Sequence, residues 1–117
     1  MPKDYHQITR GVSASLRGLR KNKPDVMGAF DALADAALRE GALDTTTKEL
    51  IALAIGVAGH CDGCIGFHVK ALVRLGASRA AIEEALGVAI YMGGGPSLMY
   101  AADALAAYEQ MTAAAAA

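Results

Sequence analysis

The sequence predicts an all-α protein of about six helices in a single domain spanning residues 1–117. Apolar residues recur at spacings of three and four along most of the chain, which is the period of an amphipathic helix. No stretch alternates apolar and polar residues between hairpin turns, so no sheet is predicted. Hydrophobic residues make up 54% of the chain and aromatics only 5%. Much of the hydrophobic content is alanine, which favours helix and lets helices approach closely. The predicted architecture is an orthogonal or bundle-like helical array.

The first two helices are separated by a turn at Asn22-Lys23-Pro24. A helix over residues 7–20 precedes this turn, because proline ends a preceding helix and favours the start of a new one. The second helix carries apolar residues at helical spacing from Val26 until Gly41 provides a stop signal.

The third and fourth helices are rich in large aliphatic residues. The third is predicted over residues 47–58, where apolar residues form a stripe along one face of the helix. Ile51 and Ile55 widen this stripe, so we expect the helix to be buried on most sides. The fourth begins near Cys61, and Gly76 is its predicted C-terminal signal.

The last two helices flank the turn Gly93-Gly94-Gly95-Pro96. Ser78 is the predicted N-cap of the fifth helix, which runs to about Met92, and the sixth runs from Pro96 toward Met111. We expect the alanine tail that follows to fray. The uncharged span 85–102 approaches the length of a membrane helix, but its glycines and proline favour two separate helices.

Charge and composition restrict the partners and the compartment. With 11 basic and 12 acidic residues, the chain lacks the positive surface that binds nucleic acid or an anionic membrane. So short a chain cannot bury all of its apolar surface, so we expect part of it to contact another subunit. The opening residues lack the apolar core of a secretory signal, which predicts a cytoplasmic protein. Tyr5 and His6 are expected to lie in a mobile leader with no role.

The two cysteines are the strongest functional feature. In a reducing compartment a close pair of cysteines indicates redox, catalytic or metal-binding chemistry rather than a structural disulfide. Cys61, Cys64 and His68 are spaced i, i+3 and i+7, which places them on one helix face. The predicted helix start favours thiolates at both sulfurs, and His68 is the local base for Cys64. In a regular helix the cysteines are too far apart for a disulfide, so the bond requires a distorted first turn.

Glu49 has two interpretations. As the acidic residue within the apolar third helix, it is a candidate to orient His68. The run Thr46-Thr47-Lys48-Glu49 also fits a capping box, in which the glutamate reaches back to the Thr46 amide. Spacing alone slightly favours capping, and the two roles are compatible.

The pattern Glu49, eleven intervening residues, then Cys61-x-x-Cys64-x-x-x-His68 resembles the signature of AhpD-type alkylhydroperoxidases in the carboxymuconolactone decarboxylase superfamily. The resemblance covers about half the chain and includes the glycine turn before Pro96. It implies an AhpD-like all-α fold, assembly into homo-oligomers such as trimers or hexamers, and a peroxiredoxin-type cycle. Carried over, Cys64 is the peroxidatic cysteine, Cys61 the resolving cysteine, and Glu49 with His68 the proton relay. The substrates would be a small hydroperoxide and a dithiol reductant, with no bound cofactor.

The sequence departs from the well-studied peroxidases of this family at Gly63, where they carry a histidine between the cysteines. His60 precedes the pair, and its expected role is a capping or solvent-exposed residue. Four alternatives to a peroxidase stay open: a general thiol-disulfide oxidoreductase, a carboxymuconolactone decarboxylase-like enzyme, a noncatalytic interaction protein, and a zinc-binding protein that uses Cys61, Cys64 and His68, with or without Glu49.

Overall fold

The structure, a computed structural model, describes residues 3–116, so Met1, Pro2 and Ala117 of the predicted domain lie outside it. The described residues form six helices and no strand, which confirms the predicted fold class. The helices are α1 (Tyr5–Asn22), α2 (Pro24–Leu38), α3 (Thr45–Ala58), α4 (Asp62–Arg74), α5 (Arg79–Gly93) and α6 (Gly95–Ala116).

The core lies where α3 and α4 pack against each other and against α5 and α6. The predicted stripes supply it: Leu53 and Val57 of α3 and Leu72 of α4 are fully buried. Alanines on α6 complete the core, because a methyl side chain lets α6 lie close to its neighbours. The expectation that α3 is buried on most sides is wrong. Ile51 and Ile55 are 46% and 67% exposed, because the helices that pack on α3 leave these two side chains uncovered.

Helix α2 contributes no buried residue. Its predicted apolar stripe is present, but Val26, Phe30 and Leu33 are all more than half exposed. Within this chain α2 contacts only α1 and, less extensively, α3. An exposed stripe of large apolar side chains is typical of a surface that binds a partner.

Helix ends follow the capping signals with two exceptions: α2 ends at Leu38, before the predicted stop at Gly41, and α3 does not start with the predicted capping box. Ser78 caps α5, and Gly94 ends it with φ +76°, a left-handed conformation that glycine adopts without strain. Pro96 lies in the first turn of α6, so the uncharged span 85–102 forms two helices, as predicted. The capping box at Thr46 is wrong: α3 begins earlier, and Asp44 accepts the Thr47 N–H instead.

The described residues near each end of the chain are more ordered than the sequence predicts. Helix α6 continues through Ala116, so the alanines after Met111 extend it. Helix α1 begins at Tyr5, which is fully buried, and Asp4 caps it. The prediction of a mobile leader is therefore wrong for Tyr5 and His6. No helix in residues 3–116 is long and apolar enough to cross a bilayer.

Candidate active site

The two cysteines lie on either side of the start of α4. Cys61 is the N-cap residue and has an extended backbone, with φ −110° and ψ 99°. Its Sγ accepts the backbone N–H of Cys64 at 3.2 Å. The Sγ atoms of the two cysteines lie 2.6 Å apart. The expected distortion of the first turn is not needed, because Cys61 lies outside the helix.

Cys64 is held in a partly buried position against α3. Burial is the main reason that its pKa is raised to about 11, and the neighbouring Cys61 thiol adds to the effect. A Cβ built on Gly56 of α3 would lie only 2.9 Å from the Cβ of Cys64. Glycine at this position therefore allows α3 to approach the cysteine. The sequence analysis missed Gly56, although a glycine inside an apolar helix is a signal of close packing.

Glu49 and His68 form an ion-pair contact between α3 and α4. The Glu49 Oε2 lies 2.6 Å from the His68 Nδ1, and the glutamate is only 6% exposed. A carboxylate oxygen accepts a hydrogen bond, so in this contact Nδ1 is the donor when the glutamate is ionised. In a neutral imidazole this leaves the lone pair on Nε2. Of the two interpretations of Glu49, the structure supports contact with His68 and not capping.

His68 and Cys64 are one helical turn apart on α4. In an α-helix, residues at i and i+4 are neighbours on the surface, with Cβ atoms about 5–6 Å apart. The structure thus places all four predicted residues where α3 meets the N-terminal half of α4. Within residues 3–116, no three His, Cys, Asp or Glu side chains form a group suited to hold a metal ion.

A network of polar side chains holds the segment between the cysteines. Asp62 accepts hydrogen bonds from the Tyr5 hydroxyl and from Lys3, each at 2.9 Å. Lys3 also donates to Asp103 of α6 at 2.9 Å. Burial, followed by the bond to Asp62, raises the pKa of Tyr5, and the bonds to Asp62 and Asp103 raise the pKa of Lys3. The start of the described chain is therefore fixed beside the cysteines, which the sequence did not reveal.

His60 and Gly63 differ in their surroundings. The His60 ring stacks on Tyr100 with centroids 4.7 Å apart, and its backbone has φ 55°, which is unusual for a residue other than glycine. His60 is exposed, as expected, but its ring is held by Tyr100. A Cβ at Gly63 would meet only Val12 Cγ2, at 3.8 Å, so this position has room for a side chain.

A sequence model of the carboxymuconolactone decarboxylase family matches residues 24–107, which include Glu49, Cys61, Cys64 and His68. The chain belongs to the carboxymuconolactone decarboxylase family. Two relatives extend the match: an uncharacterized protein of Cupriavidus necator is 38% identical over 102 residues, covering 87% of this chain and 90% of that protein. The "uncharacterized protein 4 in cox locus" of Paracoccus denitrificans is 37% identical over 100 residues, covering 86% and 90%.

Two solved structures have the same fold. The apo form of lpg0406, a carboxymuconolactone decarboxylase family protein from Legionella pneumophila, is 53% identical with a TM-score of 0.91, over 92% of this chain and 96% of that one. TM1620 from Thermotoga maritima is 29% identical with a TM-score of 0.78, over 95% of each chain. The family fold thus extends to α1, which lies before the matched residues 24–107.

Proposed function

We propose that the protein is an AhpD-like, thiol-dependent peroxidase that reduces small hydroperoxides through Cys64 and Cys61. One observation carries the proposal: the Sγ atoms of Cys61 and Cys64 lie 2.6 Å apart, beside a buried glutamate that contacts a histidine one turn beyond Cys64. A sulfur that becomes oxidised can then react with its neighbour without a large movement. The family match agrees with this assignment of the fold and leaves the chemistry to be tested.

The first step is ionisation of Cys64. Because burial raises its pKa to about 11, this thiol is protonated at neutral pH and needs a base. We assign that role to His68, whose Nε2 takes the proton while Glu49 stabilises the resulting imidazolium through Nδ1. A buried carboxylate with its partner at 2.6 Å is well placed to stabilise this charge.

The second step is attack of the Cys64 thiolate on the hydroperoxide. The sulfur bonds to the terminal peroxide oxygen, the O–O bond breaks, and the leaving alkoxide takes the proton from His68 as an alcohol. Cys64 is now a sulfenic acid. Cys61 attacks it, which forms a disulfide and releases water. Reduction of the disulfide by an external dithiol returns both thiols, and the net reaction consumes one hydroperoxide and one dithiol.

We further propose that this cycle runs in a homo-oligomer, a trimer or hexamer, and that the partner copy covers the apolar stripe of α2. Val26, Phe30 and Leu33 lose contact with water only if another surface packs on them. A second copy of the chain supplies the same surface and can close a symmetric assembly.

A thiol titration tests the proposed cycle. The reduced protein is treated with one equivalent of cumene hydroperoxide, free thiols are counted, and the zinc content is measured in parallel. We expect two thiols to be lost together in metal-free protein, with one equivalent of cumyl alcohol formed. Stoichiometric zinc that protects both thiols, or no thiol loss at all, would overturn the proposal.

A second candidate, general thiol-disulfide exchange with Cys61 as the attacking sulfur, is favoured by one specific contact. The Cys61 Sγ accepts the Cys64 amide at the start of a helix, where backbone dipoles stabilise negative charge. The two candidates differ in which variant retains activity. Exchange through Cys61 predicts that Cys64→Ser still attacks an aromatic disulfide reagent rapidly, whereas the peroxidase predicts that Cys61→Ser still consumes one equivalent of hydroperoxide.

A further inference from the structure

The interface between α1 and α4 contains an open cleft of about 350 Å³ that lies outside the cysteine site. Arg10, Ser13 and Arg17 line it from α1, and Phe67 and Lys70 line it from α4. The volume is in the range of small-molecule sites, which are concave and combine apolar walls with a few polar groups.

Positive charge without local compensation is concentrated along this cleft. Helix α1 carries four basic residues and no acidic residue, although the chain as a whole has a net charge of −1. Arg20 of α1 pairs with Asp31. In contrast, Arg10, Arg17 and Lys70 form no salt bridge within residues 3–116, and no acidic residue lines the cleft. Three cations that share a concave surface repel one another and attract an anion.

The cleft also has an apolar wall. Phe67 is 37% exposed, and Ala14 lies on the α1 side. Guanidinium groups bind carboxylates and phosphates through paired N–H donors, whereas an exposed phenyl ring binds an apolar group. The cleft therefore suits a ligand that has an anionic head and an apolar body.

The cleft leads toward the cysteines. Thr9 and Tyr5 of α1 contact Gly66 of α4, and Val12 lies next to Gly63, so α1 runs antiparallel to α4. Residues farther along α1, such as Arg17, consequently lie toward the end of α4 that carries Cys61 and Cys64. Phe67 immediately precedes His68, and on a helix consecutive residues are 100° apart, so the cleft wall and the catalytic stripe are adjacent.

We propose that the α1–α4 cleft binds an organic anion, a carboxylate or phosphate on an apolar body, and so selects hydroperoxides that carry such a group. The binding of an organic anion depends only on the residues of the cleft. The selection of hydroperoxides also rests on the proposed function. Arg10, Arg17 and Lys70 hold the head group, and Phe67 contacts the body.

The binding test uses the Cys64→Ser protein, which cannot turn over, with octanoate as the probe in a calorimetric titration at low ionic strength. We expect one octanoate per chain, at least tenfold weaker binding of octyltrimethylammonium, and at least tenfold weaker binding of acetate. Arg17→Gln and Arg10→Gln should each weaken octanoate binding about fivefold, and Arg17→Lys should restore part of it. Arg20→Gln is the matched control, because Arg20 is on the same helix but outside the cleft.

Three results would overturn the binding proposal: octanoate and octyltrimethylammonium binding equally, no octanoate binding, or unchanged affinity in both cleft variants. Equal affinity for acetate and octanoate would show that the apolar wall does not contribute to binding. All three arginines named are exposed, so these substitutions leave the fold intact.

The kinetic test compares linoleic acid hydroperoxide with its methyl ester, which differ in charge at the head group. We expect kcat/KM about tenfold higher for the acid, mostly through KM, and loss of this preference in Arg17→Gln with little change for the ester. Equal kcat/KM for both peroxides in the wild-type protein overturns the selection. If neither peroxide is consumed, the peroxidase function fails, and the octanoate titration alone decides whether the cleft binds anions.

Discussion

The α3–α4 region and helix α2 are both rich in apolar residues, but they differ in how far these side chains are buried. Leu53 and Val57 of α3 are fully buried, and this packing fixes Glu49 opposite His68. Helix α2 buries nothing, and Phe30 is 62% exposed. The site is thus organised within one chain, whereas the apolar surface of α2 is left exposed by the described residues.

The largest expected difference between the two regions concerns stability. Leu53→Ala removes a fully buried side chain and should lower the free energy of unfolding by about 2–5 kcal/mol. Phe30→Ser removes an exposed side chain and should change the stability of the isolated chain by less than about 0.5 kcal/mol.

Urea denaturation measures both changes in stability, and sedimentation velocity measures the association state. The Phe30→Ser protein should dissociate into smaller species than the wild type, while Leu53→Ala should retain the wild-type association state at temperatures where it is folded. If Phe30→Ser sediments like the wild-type protein, α2 is not the interface.

A pair of glycine substitutions separates the close approach at the site from ordinary helix propensity. Gly56→Ala places a methyl group 2.9 Å from the Cys64 Cβ, so we expect a loss of about 1–3 kcal/mol and slower disulfide formation. Gly87→Ala of α5 meets nothing within 4 Å and should stabilise the protein by about 0.5–1 kcal/mol. Denaturation curves of both proteins test this, and equal stabilisation by the two alanines would show that α3 does not constrain Cys64.

The sequence predicted the six helices, and the proximity of the two cysteines and His68 along α4, for reasons that are local. Helical spacing, Ser78 and the glycine-proline turn specify elements from neighbouring residues, and the spacing of Cys61, Cys64 and His68 places them on one face. The contact of Glu49 with His68 was left open, because it depends on how two helices pack.

Two of the missed features depend on packing between distant parts of the chain. The hydrogen bond from Tyr5 to Asp62 joins residues that are 57 positions apart in the sequence. No residue near Tyr5 in the sequence signals that Tyr5 is buried. The exposure of Ile55 also follows from which helices are present to cover it. Local patterns cannot specify either outcome, because both depend on tertiary packing.

Glu49→Gln tests whether the α3–α4 contact serves chemistry as well as packing. The amide keeps the size of the side chain but cannot stabilise an imidazolium, so we expect peroxide consumption to fall by about 10–100-fold. Stopped-flow measurement of Cys64 oxidation checks this. Glu84→Gln, on the exposed surface of α5, is the matched control and should react at the wild-type rate. Wild-type kinetics in the Glu49→Gln protein would show that Glu49 does not take part in the proton relay.

The smallest expected effect is a pH dependence of stability. Burial raises the pKa of Cys64 from 9.0 to about 11, so between these values the unfolded state releases a proton that the folded state keeps. The contribution is fully present below pH 9 and is lost as the pH rises toward 11. Urea denaturation under reducing conditions should show a steeper decline over this range for the wild-type protein than for Cys64→Ser. Parallel curves would contradict the buried position of Cys64.

The identity of the sulfur that first meets peroxide is the most direct test of the account. Each single cysteine variant is treated with one equivalent of hydroperoxide in the presence of dimedone, which traps sulfenic acids, and the adduct is located by peptide mass spectrometry. The account predicts a stoichiometric adduct on Cys64 in the Cys61→Ser protein and little or none on Cys61 in the Cys64→Ser protein. The reverse pattern, an adduct on Cys61 and none on Cys64, would contradict it.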